Sequence, residues 1–433
     1  MLENYIKIAW KVLLRRKFFT FISLFGISFT IFVLLVASSI LDHAIDPGGP
    51  QINQSRILVA DRLLATDSLR RSQWVSSPGF MLLNRYAKTL KTPELISVYS
   101  GANSYFTYVN GNKLNFAYKF TDDVFWKIYK FNFLYGKPFG KDEYDHADNV
   151  AVISQYTADR YFGNQDVVGK FIEVDGLQYR VIGIVENISK VSELIYSDIW
   201  VPNTTSKDDI NSEFMGSFAT SILAYSTDDF NEIKNEWHKN LRASIADLPA
   251  DMSQLTTLKC LLQPYEDRIA SFLLDFDEDY ESGTTDQERI VEASGISNYQ
   301  LFYLAVAGLM FLFILLPSIN LININLSRMI ERNSEIGVRK AFGATRKILV
   351  TQFVTENIIL TFIGGVISIA VTEITLSIIN KSGLILHAHL TMSLSVFIFG
   401  FFVCIVLGII SGVYPAYRMS KLHPVEALRG GGI

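Results

Sequence analysis

The sequence predicts a membrane α-helical protein of four transmembrane helices, with a mixed α+β extracytoplasmic domain inserted between helices 1 and 2. Three observations carry that prediction. Apolar residues make up 49% of the 433 residues and the mean hydropathy is positive. Four apolar segments are long enough to cross a bilayer, each needing about 20 residues at roughly 1.5 Å per residue. Finally, the overall net charge of −4 hides an asymmetry. Residues 42–299 carry 37 acidic and 24 basic side chains, a net of −13, while the remainder carries 6 acidic and 15 basic, a net of +9. A chain divided in this way has its two parts in different environments.

Residues 1–17 come first. Ile6, Trp10, Leu13 and Leu14 recur at helical spacing, with Lys7, Lys11, Arg15, Arg16 and Lys17 among them. This amphipathic helix either lies along the inner membrane surface or simply extends the first span into the cytoplasm. Residues 18–41 form that span, 24 residues without a charge. The run exceeds the roughly 7–15 residue apolar core of a cleaved signal, so it is read as an anchor. The remaining spans are 300–326, 348–379 and 392–414, joined by a loop at 327–347 and a short external loop at 380–391; the chain ends in a tail at 415–433.

The flanks orient the spans. Basic residues precede the first span, fill 327–347 (Arg328, Arg332, Arg339, Lys340, Arg346 and Lys347) and follow the fourth (Arg418, Lys421 and Arg429). With four crossings these clusters share one side, which the positive-inside rule makes the cytoplasm. Both termini are therefore expected in the cytoplasm and residues 42–299 outside it.

Within 42–299, β-rich runs occur at 57–60, 95–99, 105–109, 114–120 and 150–153. Asn110-Gly111 and Asp175-Gly176 are hairpin turn signals, the second between strands 171–174 and 177–185. A helical pattern over 154–162 ends at Gly163, and helices are expected within 255–269 and 288–299. Tyr105, Phe106, Tyr108, Phe116, Tyr118, Phe120, Phe125 and Trp126 form an aromatic-rich stretch; half are expected in the sheet core, the rest free to grip a partner or apolar substrate.

The most informative loop runs from Glu331 to Lys347. Read plainly, it is a basic cytoplasmic loop, yet it holds a compact helical segment bounded by Gly343 that could dock onto another protein. Its Glu335–Ala344 stretch resembles the Glu-Ile-Gly-x-x-Arg-Ala-x-Gly-Ala region of the MacB/FtsX-type ABC permeases, with Lys340 between Arg339 and Ala341. Gln352, Phe353 and Glu356 resemble the family's continuation into the third span. Ser411–Tyr417 with Pro424–Arg429 resembles its C-terminal signature, through Gly412, Pro415, Pro424, Leu428 and Arg429. Residues 149–184, with Tyr161–Lys170, resemble its periplasmic core domain.

The resemblance implies a permease subunit of an ATP-driven MacB-like ABC transporter, resident in the inner membrane with its large domain in the periplasm. Two ABC ATPase subunits would bind ATP and Mg, and no cofactor would bind to this chain. A second permease copy or paralogue would complete a dimer in contact with membrane lipids, and a periplasmic adaptor and outer-membrane channel could extend it. The ATPase-coupling residues would be Glu331, Glu335, Ile336, Gly337, Arg339, Lys340, Gly343 and Arg346. Motion would pass outward through the first two spans to expel a substrate from the periplasmic side, the mode called mechanotransmission. A lipoprotein-releasing permease and a non-transporting regulator of a cell-wall hydrolase are the alternatives.

Other features weigh less. Glu356 and Glu373 lie in the third span, where a charge is costly and draws attention to function. A structural bond for Glu356 and a neighbouring helix, dimer interface or water for Glu373 are the plainer readings. Pro317 could kink the second span, and Asn320, Asn323 and Asn325 could bond across helices. Gly163–Lys170 imitates a P-loop but has five residues between its glycines and Phe171 where Ser or Thr is needed, so the chain is not expected to be an ATPase. Asp275–Glu281 departs from the calcium-loop pattern at Tyr280 and Asp286. His387 and His389 have no clear third ligand, so no metal is assigned. A disulfide between Cys260 and Cys404 is not expected. The acidic exterior argues against nucleic acid as a partner.

Overall fold

The computed structural model describes residues 14–15, 17–45, 50, 52–67, 73–109, 111–163, 166–273, 300–309, 311–312, 338, 342, 345–382, 390–403, 405–406 and 409. The expectations for residues 1–13, the turn residue Asn110, the acidic stretch 275–281, the helix at 288–299, most of the second span, His387 and His389 lie outside these. The described residues fall into two compact units, one holding the apolar helices and the other running from His43 to Phe302.

In the first unit, the helix Lys17–Ile45 is apolar enough to span a membrane over Thr20–His43, and the helix Arg346–Ser382 over Val350–Ser382. Shorter apolar helices cover Gln300–Leu309 and Leu394–Val403. Ser23, Ile27, Thr30, Ile31, Leu34 and Leu35 are buried at helical spacing along one face of the first helix. Its hydroxyls are satisfied locally: Thr30 donates to Gly26 O at 2.7 Å and Ser39 to Leu35 O at 2.8 Å. Such back-bonding lets polar side chains sit in an apolar helix without an orphaned group. On the opposite face Phe21, Phe25 and Phe29 are exposed and stacked, with Phe25 and Phe29 5.6 Å apart. Gly364 brings Arg346–Ser382 against this helix, since a Cβ there would lie 2.8 Å from Ile27 Cγ2.

The second unit is built in layers. One sheet has the order β15 (Gln263–Pro264), β1 (Ile57–Ala60), β13 (Phe218–Leu223), β4 (Leu95–Ser100), all antiparallel. It is buried on both faces, and its side chains alternate between two cores as the pleat requires. Leu58, Ala60, Val98 and Ile222 enter one core; Ile57, Val59, Tyr99 and Leu223 enter the other. The first core is closed by the sheet β12 (Met215–Gly216), β3 (Gln73–Pro78), β2 (Leu63–Asp67), β14 (Leu255–Cys260) and by the helix Phe230–Ser244. That helix buries Ile233, Trp237 and Leu241 and starts beyond a capping box of Ser226 and Asp229.

Beyond the second core lies a mixed sheet, in the order β5 (Asn103–Val109), β6 (Asn112–Thr121), β11 (Ile199–Pro202), β8 (Val150–Ser154), β10 (Leu177–Val185), β7 (Phe133–Gly136), with β9 (Phe171–Val174) also on β10. Pairs β8–β10 and β6–β11 are parallel. Its other face covers a third core around Phe116, Ile153, Tyr179 and Val201. The β9–β10 hairpin turns at Asp175 and Gly176, with φ of 49° and 70°, as that dipeptide predicts.

The expectation of helix within 255–269 holds for its C-terminal part only. Residues 255–260 are strand β14, where adjacent β-branched Thr256 and Thr257 suit a pleated edge, and helix begins only at Tyr265. The helical stretch at 154–162 is confirmed, as a short turn Gln155–Thr157 and a wider turn Ala158–Phe162, closed by Gly163 at φ 70°.

Candidate functional site

Most of the residues singled out for coupling, Glu331, Glu335, Ile336, Gly337, Arg339, Lys340 and Gly343, lie outside the described residues, as do Gly412, Pro415, Pro424, Leu428 and Arg429. Two neighbours in that loop, which motif reading passed over, are described. The Phe342 N–H donates to Val338 O at 3.0 Å, a helical turn. Both side chains are exposed, Phe342 at 88%. It ends where the Thr345 hydroxyl accepts from the Ile348 N–H at 3.4 Å, capping the helix that starts at Arg346.

That helix buries polar side chains along its length: Gln352, Glu356, Asn357, Thr361, Ser368 and Thr372. Gln352 Nε2 donates to Glu356 Oε1 at 3.0 Å, one turn apart. Thr361 and Ser368 return their hydroxyls to Asn357 O and Gly365 O. Glu373 is exposed and does not join them. Along the axis, Glu356 is about 15 Å from Arg346 and Glu373 about 40 Å, at roughly 1.5 Å per residue.

In the second unit, polar anchors hold the segments nearest its chain ends. His43, in the last turn of Lys17–Ile45, bonds through Nε2 to Ser189 Oγ at 2.9 Å, and both residues are buried. Arg268, on the helix Tyr265–Leu273, donates Nε to Asp61 Oδ2 at 2.6 Å just beyond β1. Both side chains are largely shielded, and the helix sets Tyr265 and Ile269 in the second core. A third joint is Asp122, fully buried, which accepts from Ser97 Oγ, the Val98 and Phe125 N–H groups and Lys88 Nζ, all within 2.7–3.0 Å.

The electrostatics of this unit are set by burial. Burial raises the Asp198 carboxyl, against the Ala117 N–H at 2.8 Å, which favours its charged form. Burial likewise pushes the Tyr129 phenol up to about 12; it shares the Ser221 hydroxyl with Tyr99. Burial pushes the Cys260 thiol far up, leaving an inert core side chain. Of the aromatic stretch, Phe116, Phe125 and Trp126 are core, Tyr105, Tyr118 and Phe120 half-buried, and Phe106 and Tyr108 exposed. Lys113 Nζ sits 4.2 Å from the centroid of the Phe106 ring.

Among the described residues no group of three or more His, Cys, Asp or Glu is arranged to hold a metal. Two backbone amides at the end of the P-loop imitation are already bonded. The Gly169 N–H donates to Val181 O at 2.7 Å and the Lys170 N–H to Val167 O at 3.0 Å, so those amides are committed to the loop's own fold.

A model of the MacB-like periplasmic core domain matches residues 20–239, and one of the FtsX-like permease C-terminal region matches residues 307–424. The ABC transporter permease YknZ of Bacillus subtilis is 26% identical over 299 residues, 68% of this chain and 65% of that protein. The macrolide export ATP-binding/permease protein MacB of Bdellovibrio bacteriovorus is 26% identical over 303 residues, 68% of this chain and 41% of that one. The pyoverdine export ATP-binding/permease protein PvdT of Pseudomonas syringae pv. tomato is 24% identical over 439 residues, 98% of this chain and 59% of that one. The chain thus spans less than two thirds of the length of these relatives. Among solved structures, the periplasmic region of MacB from Actinobacillus actinomycetemcomitans aligns at a TM-score of 0.37 and 13% identity, covering 52% of this chain and 95% of that one.

Proposed function

The chain belongs to the MacB/FtsX-type ABC transporter permeases, a MacB-like periplasmic core domain joined to an FtsX-like permease region, and from that premise we propose that it works by mechanotransmission in an export pump. The permease component is not itself an enzyme. In this reading ATP and Mg bind to two copies of a separate ABC ATPase, and a second permease chain completes the dimer. The export of macrolides and pyoverdine named for two relatives supports export here, on the periplasmic side of an inner membrane. A periplasmic adaptor and an outer-membrane channel complete the pump, with both termini in the cytoplasm.

One observation carries the mechanical reading: Lys17–Ile45 is a single unbroken helix of 29 residues whose last turn is bonded at His43 to Ser189. At about 1.5 Å per residue it is about 43 Å long, more than the roughly 30 Å of hydrocarbon, so it can deliver movement beyond the bilayer. At the other side, the loop that exposes Val338 and Phe342 is the surface on which the ATPase pushes. In a third span entering the membrane at Arg346, Glu356 lies near mid-bilayer, where burial against Gln352 spares it lipid. Glu373, about 40 Å along, reaches the outer interface even at a 40° tilt.

Native mass spectrometry of the complex, purified gently through a tag on this chain, tests the reading. Two ATPases with two copies of this chain are the expected result. A second, different permease with bound lipoprotein would replace export by lipoprotein extraction. Recovery of a cell-wall hydrolase and no transport substrate would replace it by regulation.

A further inference from the structure

Lys119 is a feature of the second unit that neither the fold nor the transport reading accounts for. It sits mid-strand on β6, opposite Trp200 of β11, and is 1% exposed. A buried ammonium is normally paired with a carboxylate, yet among the described residues none lies within ion-pair distance. Instead Nζ donates to the carbonyl of Leu194 at 2.6 Å and that of Glu193 at 3.4 Å, and lies 5.2 Å from the centroid of the Tyr99 ring.

Both carbonyls belong to one segment, residues 187–198, which connects β10 to β11. It is folded by its own turns, with the Ser192 N–H on Ser189 O and the Tyr196 N–H on Ser192 O, and Ile188 and Ile195 are buried in the second core. It is tied down at three further places: Asn187 Oδ1 accepts from the Tyr156 N–H, Ile195 O accepts from Trp200 Nε1, and Ser189 bonds His43. Lys119 is therefore the fixed post, and 187–198 the strap that also holds the end of the Lys17–Ile45 helix.

We propose that Lys119 is a proton-operated latch on this strap: the neutral amine keeps the strap closed, and proton uptake favours an opened strap in which the ammonium reaches water. Burial supports this, pushing the Lys119 ammonium down to about 7 against the opposing pull of Glu193. Of the other groups facing it, Tyr99 on β4 and the neighbouring Tyr129 are both raised by burial and stay neutral at physiological pH. Asp198 and Lys190 lie on the strap itself, Asp198 bonded to the Ala117 N–H. The sign follows from linkage: an opened state that binds the proton more tightly is favoured wherever that proton is present. Opening should be constant below about pH 7, then fall nearly tenfold per pH unit above it. The latch stands independently of the transport reading, since strap opening alone reports it.

Hydrogen–deuterium exchange of the full chain in lipid nanodiscs, from pH 6 to 9 and corrected for intrinsic exchange, tests the latch. Peptides covering 189–197 should show the break near pH 7 and the tenfold slope. In Lys119→Met, which loses the tie together with the proton, opening should be flat with pH, and in His43→Gln the slope should survive. Because Lys119→Met replaces a core side chain, the exposed Glu193→Gln provides a second arm. Losing its pull should move the break to lower pH. The same slope in Lys119→Met, opening that increases with pH in the wild type, or an unmoved break in Glu193→Gln would each overturn the proposal.

Discussion

Truncating Arg268 to Met tests how firmly the helix Tyr265–Leu273 is held to the layered domain. Its guanidinium Nε meets Asp61 Oδ2 at 2.6 Å, with only 9% and 15% of the two side chains exposed. At an effective dielectric constant of about 20, that separation gives roughly 6 kcal/mol of gross attraction. Desolvation of both ions takes back much of it, so the pair's net value is far smaller. Removing one partner is a different matter, because the surviving charge keeps its burial cost and loses this contact. Arg268→Met or Asp61→Leu alone should therefore cost about 3–5 kcal/mol. For a unit of this size that lowers Tm by roughly 6–20 °C. The double variant should recover most of the loss, returning to within about 2 kcal/mol of the wild type. Thermal unfolding of the four proteins in detergent, read as a double-mutant cycle, is the assay. Equal, additive losses summing in the double variant would refute the reasoning, because they would mean the two ions stabilise the fold independently.

Three further outcomes are expected. Gly364→Val should separate two packed helices, because even a Cβ falls 2.8 Å from Ile27 Cγ2; an overpacking cost of about 1–3 kcal/mol should appear as reduced Tm of the purified chain, with Ile27→Ala restoring part of it. Asp198→Asn keeps an acceptor for the Ala117 N–H and removes a charge whose burial raises its pKa. The wild-type carboxyl therefore loses stability as pH rises through its raised value. The variant should gain up to about 1 kcal/mol at pH 7.5 and nothing at pH 4 in paired melts. Phe342→Asp, at a position 88% exposed, should leave folding stability within about 0.5 kcal/mol of the wild type while abolishing ATP-driven transport in reconstituted vesicles. Charge reversal at Glu335 or Arg339 should do the same, and normal transport by these variants would remove the loop from the coupling route.

The sequence was most informative where one local rule decides the outcome. Asp175-Gly176 is a turn because few residues tolerate φ of 49° and 70° in succession, and the strands on either side follow from it. The Lys17–Ile45 helix was visible because 24 consecutive uncharged residues leave few alternatives. What escaped depended on distant partners. β13, whose six residues are all buried, alternates between two cores and shows no polar face to mark it as a strand. β14 is not set apart from the helix that follows it, because its pairing with β2 is not visible in the sequence. The anchors His43–Ser189 and Arg268–Asp61 join residues 146 and 207 positions apart, and no spacing rule reaches that far. Lys119 looked like any lysine on a half-exposed strand, and only burial distinguishes it. Val338 and Phe342 were overlooked because the charges around them in the loop drew the reading.

The sheet β15–β1–β13–β4 has a further consequence. A sheet with one wet face can be redecorated freely at every second position, but this one has no spare face: adjacent residues such as Ile57 and Leu58 serve different cores. Saturation mutagenesis should therefore meet an unbroken band of intolerance along β1 and β13, without the alternation usual for strands. The same sharing ties the two cores into one cooperative body, since neither can melt without stripping a wall from the other. A body of that kind tilts as a whole when pulled at its edge, so little of an applied displacement is lost to internal give.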